Sequence, residues 1–253
     1  MAAGAFMNFL LGFVVMVILI AAQSEPITSR VIYAIDDGAL CGQTGLEAGD
    51  KVLAVNGRRC FVANDMLYEL MRTEDYSARF TVLRGGEKVE LPCVRFDTWQ
   101  DDSGETHMSL GFTVYGIRKT PANVVKEAWN SVLYYGRIIF TSLMDLLRGR
   151  ESINDLSGPV GIVTAIGQAA SYGWQDLLQL LVLITVNLGI FNLLPFPALD
   201  GGKVVFLLIE GVTGHAVPEK IQSGLTLAAF ALLFGLMLFA TYNDIVRLIT
   251  GAV

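Results

Sequence analysis

Histidine is nearly missing from this sequence. The 253 residues contain two, His107 and His215. They are far from the i, i+4 spacing that lets two imidazoles on one helix face grip a zinc ion. Both read as ordinary surface histidines. Cysteine is scarce as well: Cys41, Cys60 and Cys93 are odd in number and lack metal-ligand spacing, which excludes a disulfide framework and a zinc ribbon. They read as small apolar fillers. Charge is low at 17%, against roughly 25% in soluble domains. A basic excess is absent too. The net charge of −6 offers no footprint for nucleic acid. No internal repeat and no low-complexity tract occurs.

Apolar residues fill the gap, at 53% with a mean hydropathy of +0.52. They are concentrated in three charge-free windows, residues 2–24, 177–199 and 221–243. Each is long enough to cross a hydrocarbon core of roughly 30 Å as a helix. No basic stretch precedes the first window, where the first charge is Glu25. It therefore reads as a retained span rather than a cleaved signal peptide. The lipid bilayer is the first expected partner.

Between the first two windows the pattern changes. Residues 31–35 and 51–55 read as strands, the second closed by Asn56-Gly57. Asn64 can cap a short helix reaching about Arg72. Residues 78–83 and 88–91 read as a hairpin around Arg84-Gly85-Gly86-Glu87. After polar turns at 101–104, residues 108–114 form a short strand-like run. Thr120-Pro121 then opens a helix, with Thr at the N-cap and Pro at the first position. Its apolar residues recur at helical spacing through Leu147, interrupted by charge, as in a helix lying at a membrane surface.

Gly45-Leu46-Glu47-Ala48-Gly49-Asp50, followed by Asn56-Gly57, resembles the central signature of PDZ domains in bacterial membrane proteases. Gly45 and Gly49 permit turn conformations, and Asp50 can accept from nearby backbone amides. The resemblance implies binding of peptide termini by strand addition. A β-domain that only spaces the membrane parts remains the alternative.

The end of the second window is the chemically distinctive place. It runs Asn192-Leu193-Leu194-Pro195-Phe196-Pro197-Ala198-Leu199-Asp200-Gly201-Gly202. Two prolines prevent a regular helix, and unwound backbone at membrane depth needs protein or water around it. Asp200 places a carboxylate there, which marks a functional site by default. Physics alone equally allows an interfacial carboxylate that faces water and caps the next helix.

This segment is similar to the Leu-Asp-Gly signature of the site-2 proteases, the intramembrane zinc metalloproteases of peptidase family M50. Further matches are Gly4-Ala5-Phe6-Met7-Asn8, Ser157-Gly158-Pro159-Val160-Gly161 and Asn243-Asp244-Ile245, so nearly the whole chain is covered. The resemblance implies that Asp200 is a zinc ligand. It implies that Asn192, Pro195, Pro197, Leu199 and Gly201 hold the substrate in extended form. It implies regulated intramembrane proteolysis of single-span membrane proteins, such as anti-sigma factors or remnant signal peptides. The family's His-Glu-x-x-His helix, with two ligands and the general base, is not found in this sequence. Zn2+ would therefore have an incomplete site. The expectation is a chain incomplete at its N-terminus; the alternative is a noncatalytic membrane-anchored PDZ adaptor or pseudoprotease.

The expected fold class is a polytopic α-helical membrane protein with three spans and an inserted small β-rich PDZ-like domain. The expected segments are a span at 1–24, the PDZ-like domain at 25–97 and a β-like linker at 98–120. An amphipathic interfacial helix at 121–150 follows, then a span with the Leu-Asp-Gly motif at 151–202. A loop at 203–220 and a last span at 221–253 complete the chain. By resemblance, the PDZ-like domain lies outside the cytoplasm of a bacterial inner membrane, with Asp200 near the cytoplasmic side. Lys203 and Lys220, read as sharing one loop, weakly favour that side for the loop.

Overall fold

A computed structural model describes residues 3–73, 75–102, 104–150 and 157–250. Ala2 of the first window, Ser103 of the 101–104 turn, residues 151–156 of the following segment and residues 251–253 of the last lie outside them. The chain forms two compact units, one of residues 20–134 and one of residues 1–19 with 135–253. Among the described residues, three helices are long and apolar enough to cross a membrane: α1 (Ala3–Ala22), α6 (Trp174–Leu193) and α8 (Glu219–Thr250). They contain the three charge-free windows over most of their lengths.

The unit of residues 20–134 is built on an antiparallel sheet. Its strands are β1 (Ile27–Ile35), β2 (Lys51–Val55), β4 (Ser77–Arg84), β5 (Glu87–Arg95) and β8 (Phe112–Ile117), in the order β5-β4-β2-β1-β8. The short β3 (Arg58–Arg59) pairs with β2. Inward side chains make the core: Ile32, Val52, Val55, Phe80, Val82 and Val94 are essentially inaccessible, with a register shift between Val52 and Ala54 turning both β2 valines inward. Leu46, Met66 and Leu70 close it, the last two from α3 (Ala63–Met71). Cys41, in the one-turn α2 (Leu40–Gln43), and Cys60 are buried fillers, whereas Cys93 is exposed. Burial pushes the Cys41 thiol above its ordinary range.

The sequence pattern ended this domain at Asp97. The sheet instead takes in β8, paired with β1 from Ile27↔Ile117 to Ile35↔Phe112. The intervening residues are no plain linker: β6 (Asp97–Gln100) and β7 (Thr106–Ser109) form their own hairpin. The α3 start also differs from expectation. Val62 is the N-cap, and Asn64 lies within the helix. The buried Asp65 accepts from the Phe61 and Val62 amides, so a carboxylate reaching back does the capping.

The helix α4 (Pro121–Leu147) begins where Thr120 Oγ1 accepts the Asn123 amide at 3.2 Å. In the membrane unit, Gly158 caps α5 (Pro159–Tyr172), and Gly173 separates it from α6. Residues 157–202 therefore hold two helices and the start of a third. The expected loop at 203–220 is mostly helical, because α7 (Asp200–Thr213) runs through it. Lys203 lies in α7 and Lys220 in α8, so they do not share a loop.

Candidate functional site

The site begins with the termination of α6. Leu194 is extended, at φ −62° and ψ 143°, as the residue before a proline is forced to be. Pro195 and Pro197 donate no backbone hydrogen bond, so the helix cannot continue. The connection turns on itself instead. The Phe196 amide donates to the Leu194 carbonyl at 2.7 Å, and Leu199 donates to Phe196 at 2.9 Å. Asn192 lies in the last turn of α6, half-buried. Leu199 is the N-cap of α7, and Asp200 is its first residue. A carboxylate in that first turn is favoured by the helix dipole.

Gly201 and Gly202 are buried and fix how closely α7 approaches the connection. A Cβ on Gly201 would lie 2.2 Å from the Leu194 carbonyl oxygen. One on Gly202 would lie 2.2 Å from that of Phe196. These glycines serve a close backbone approach rather than flexibility. From α8, Thr226 Oγ1 donates to the Pro197 carbonyl at 3.3 Å. Thr226 carries no signal in the sequence, because nothing local tells that a hydroxyl in an apolar helix faces a carbonyl of the unwound connection.

Around Asp200, α1 approaches with its smallest residue. A Cβ on Gly4 would come 3.7 Å from Asp200 Oδ2. The same helix is held to α6 through glycine: a Cβ on Gly12 would meet Val186 at 3.1 Å, and one on Gly189 would meet the Phe9 ring at 3.1 Å. Small residues permit such close helix packing in membranes. Lys203 Nζ stands 3.5 Å from Asp200 Oδ1, one helical turn on. Both side chains are partly exposed, so the pair is worth about 0–1 kcal/mol.

Asp200 offers one donor. A catalytic zinc takes about three protein ligands and an open position. Among the described residues, the cluster with three metal-type donors is Asp101, Glu105 and His107 on the β6–β7 hairpin, and Asp200 is not part of it. Turn closure accounts for that cluster. The Glu105 amide donates to Asp101 Oδ1 at 2.9 Å, and His107 Nε2 lies 3.0 Å from Asp101 Oδ2. His215 is exposed beyond α7, bonded to Thr213. The described residues therefore do not make a zinc site around Asp200 by themselves.

In the other unit, the 45–57 segment forms a tight loop and strand. Gly45, Gly49 and Gly57 have φ of +117°, +95° and +77°, and Asn56 has φ 49°. Leu46 is buried in the core. Asp50 is fully buried and bound by Arg84 through two bonds of 2.7 Å, from Nε and Nη2. Arg84 also reaches the Gly45 carbonyl and Glu47. The Asp50 contact holds the Arg84 pKa above its usual value. The sequence marked Arg84 only as a turn residue. The usable signal was Asp50 itself, since a carboxylate inside a glycine-framed loop needs a cation.

A family profile described as Peptidase family M50 matches residues 1–236. The zinc metalloprotease RasP of Geobacillus kaustophilus is 34% identical over 244 residues, covering 96% of this chain and 57% of the relative. The regulator of sigma-W protease RasP of Bacillus subtilis is 31% identical over 247 residues, covering 98% and 58%. A zinc metalloprotease RasP of Shouchella clausii is 31% identical over 255 residues, covering 97% and 58%. The chain thus spans less than two thirds of the length of these curated relatives.

Proposed function

The chain belongs to peptidase family M50, the site-2 protease family, and we propose that it supplies the Leu-Asp-Gly part of an intramembrane zinc endopeptidase. Asp200 carries the reading. It stands on the first residue of α7, held by Gly201 and Gly202 against a connection that two prolines keep from being helical. In this reading Asp200 is one zinc ligand. Two further ligands and a general base come from polypeptide outside these 253 residues.

The substrates are single-span membrane proteins. A helical peptide bond is shielded by its own hydrogen bonds, so it must be drawn out before it can be cut. Pro195, Pro197 and Leu199 in the unwound connection, with Asn192 in the last turn of α6 before it, would hold the extended strand. The sigma-W role in the name of the Bacillus subtilis relative makes anti-sigma factors the first substrate class to test, with remnant signal peptides the second.

Residues 25–117 act as a PDZ-like module for peptide termini. This rests on the Asp50–Arg84 loop and on β8, which ends the sheet order and offers an edge for strand addition. The protein resides in a bacterial inner membrane, with this module on the extracytoplasmic side and α4 at the membrane surface.

The test uses the chain produced together with the part of the Geobacillus kaustophilus relative that it does not match. In proteoliposomes the pair cleaves a single-span reporter, and Asp200→Ala abolishes cleavage. Equal cleavage by the Asp200→Ala pair would remove Asp200 from the site.

A further inference from the structure

The first half of α4 faces β1 and β8 across a cavity of ≈ 320 Å³. That size is within the range of small-ligand pockets. Its lining has an uneven charge set. Arg30 of β1, Lys51 of β2 and Lys126 of α4 supply cations, and Glu127 is the one carboxylate. Asn123 and Asn130, one helical turn to either side of Glu127, add side-chain amides. Arg30 Nη1 donates to the Cys60 carbonyl and, at 3.4 Å, to that of Val52. This fixes the guanidinium and leaves Nε and Nη2 without a hydrogen-bond acceptor among the described residues.

Burial pushes the Glu127 carboxyl up to about 7. Arg30 and Lys126 pull the other way, and Asp65 of α3 adds a small push upward. Below neutral pH the cavity thus sets cations beside a mostly protonated acid. Such a set suits a group with negative charge and several acceptor oxygens.

The same turns of α4 carry a second feature. Val125, Trp129 and Leu133 are 50%, 57% and 42% exposed, at i, i+4 and i+8. They form one apolar stripe, while Val124, Ala128 and Val132 are buried. At about 100° per residue, Lys126 falls between this stripe and the cavity side of Asn130, Asn123 and Glu127. The described residues include three span-length helices, so a bilayer is at hand. A tryptophan among aliphatic side chains, bordered by cations, is the pattern of a helix lying where acyl chains meet anionic headgroups.

We propose that this cavity binds the phosphate diester of an anionic phospholipid. Arg30, Lys51 and Lys126 meet the phosphate oxygens, and Asn123 and Asn130 hydrogen-bond the headgroup. The acyl chains lie along Val125, Trp129 and Leu133. The assignment does not depend on Asp200 or on zinc.

The test is calorimetric titration of the full chain in an uncharged maltoside detergent. The probes are dioctanoyl phosphatidylglycerol, dioctanoyl phosphatidylcholine and inorganic phosphate, at pH 6 and pH 8. The phosphatidylglycerol binds, and the other two bind at least about tenfold more weakly. The double substitution of Lys51→Gln with Lys126→Gln, both exposed positions, weakens it about thirtyfold with the circular dichroism spectrum unchanged. Binding is tighter at pH 6 than at pH 8, and Glu127→Gln erases that difference. Equal binding of the choline lipid, or no loss in the double variant, would overturn the proposal. Inorganic phosphate binding as tightly as the lipid would assign the cavity to free phosphate and overturn it equally. So would a pH difference that survives Glu127→Gln.

Discussion

Gly4 of α1 lies against Asp200 of α7, with room for a Cβ at 3.7 Å from the carboxylate Oδ2 and for little more. The first turn of one span thereby forms a wall of the acidic site. A methyl group fits at that distance in ordinary van der Waals contact, whereas a branched side chain would turn the carboxylate aside. Gly4→Ala should leave cleavage by the co-produced pair within about threefold of the parent. Gly4→Leu should lower it at least about tenfold, since small misplacements at a reacting centre cost that much or more. Reporter cleavage, with circular dichroism as the folding control, checks both.

The glycine pair makes a sharper prediction. A Cβ at Gly201 or Gly202 meets backbone oxygen at 2.2 Å, and backbone cannot swing away as a side chain can. Either Ala substitution should destabilise the connection by about 1–3 kcal/mol, the usual cost of overpacking. Limited proteolysis in detergent should show faster cutting near residues 193–199 than in the parent chain. Unchanged proteolysis would mean that α7 does not approach so closely.

Asp50 and Arg84 supply a third test, in the sheet unit. Removing Arg84 leaves a carboxylate buried with its main cation gone. Breaking a buried pair costs about 3–5 kcal/mol. The Arg84 side chain is 29% exposed, so the expectation for Arg84→Met is nearer the lower end. A lowered thermal midpoint, followed by Trp99 fluorescence in a Trp129→Phe, Trp174→Phe background, would register it. The Asp50→Asn, Arg84→Met double variant should recover part of the loss, because the lone charge is then absent.

Glu127 gives a pH dependence with a definite sign. Its carboxyl titrates near 7 in the folded chain and at 4.5 when free. The folded state therefore holds the proton more tightly, and the associated stability is fully present below 4.5. It is lost as pH rises from there through about 7, where the buried group must ionise. Glu127→Gln should therefore raise the thermal midpoint more at pH 8 than at pH 5. Equal shifts at both values would place Glu127 in a more solvated setting.

Asp200 and the two prolines were legible in the sequence because they break a local rule: charge and helix-breakers at the end of a membrane-length run. What followed them was not. Gly201-Gly202 can mark either flexible chain or close contact, and the structure uses the glycines for contact and continues as α7. Residue type alone does not separate those two uses of glycine. A strand-like run at 108–114 was legible, but the place of β8 in the main sheet was hidden for another reason. Its partner β1 lies some eighty residues earlier, and pairing at that distance leaves no local periodicity. Arg84 and Thr226 were missed likewise, since each answers a polar group that is distant in sequence. Helix and span lengths are local properties, and the three apolar helices were accordingly read well.

In the proposed function, Asp200 is one ligand of a zinc site completed from outside these residues. Zinc per chain, measured by mass spectrometry of the purified protein, tests this most directly. The 253-residue chain alone should hold well under one zinc, whether residue 200 is Asp or Ala. The co-produced pair should hold about one, lost on Asp200→Ala. One tightly held zinc in the chain alone, released by Asp200→Ala, would contradict the account.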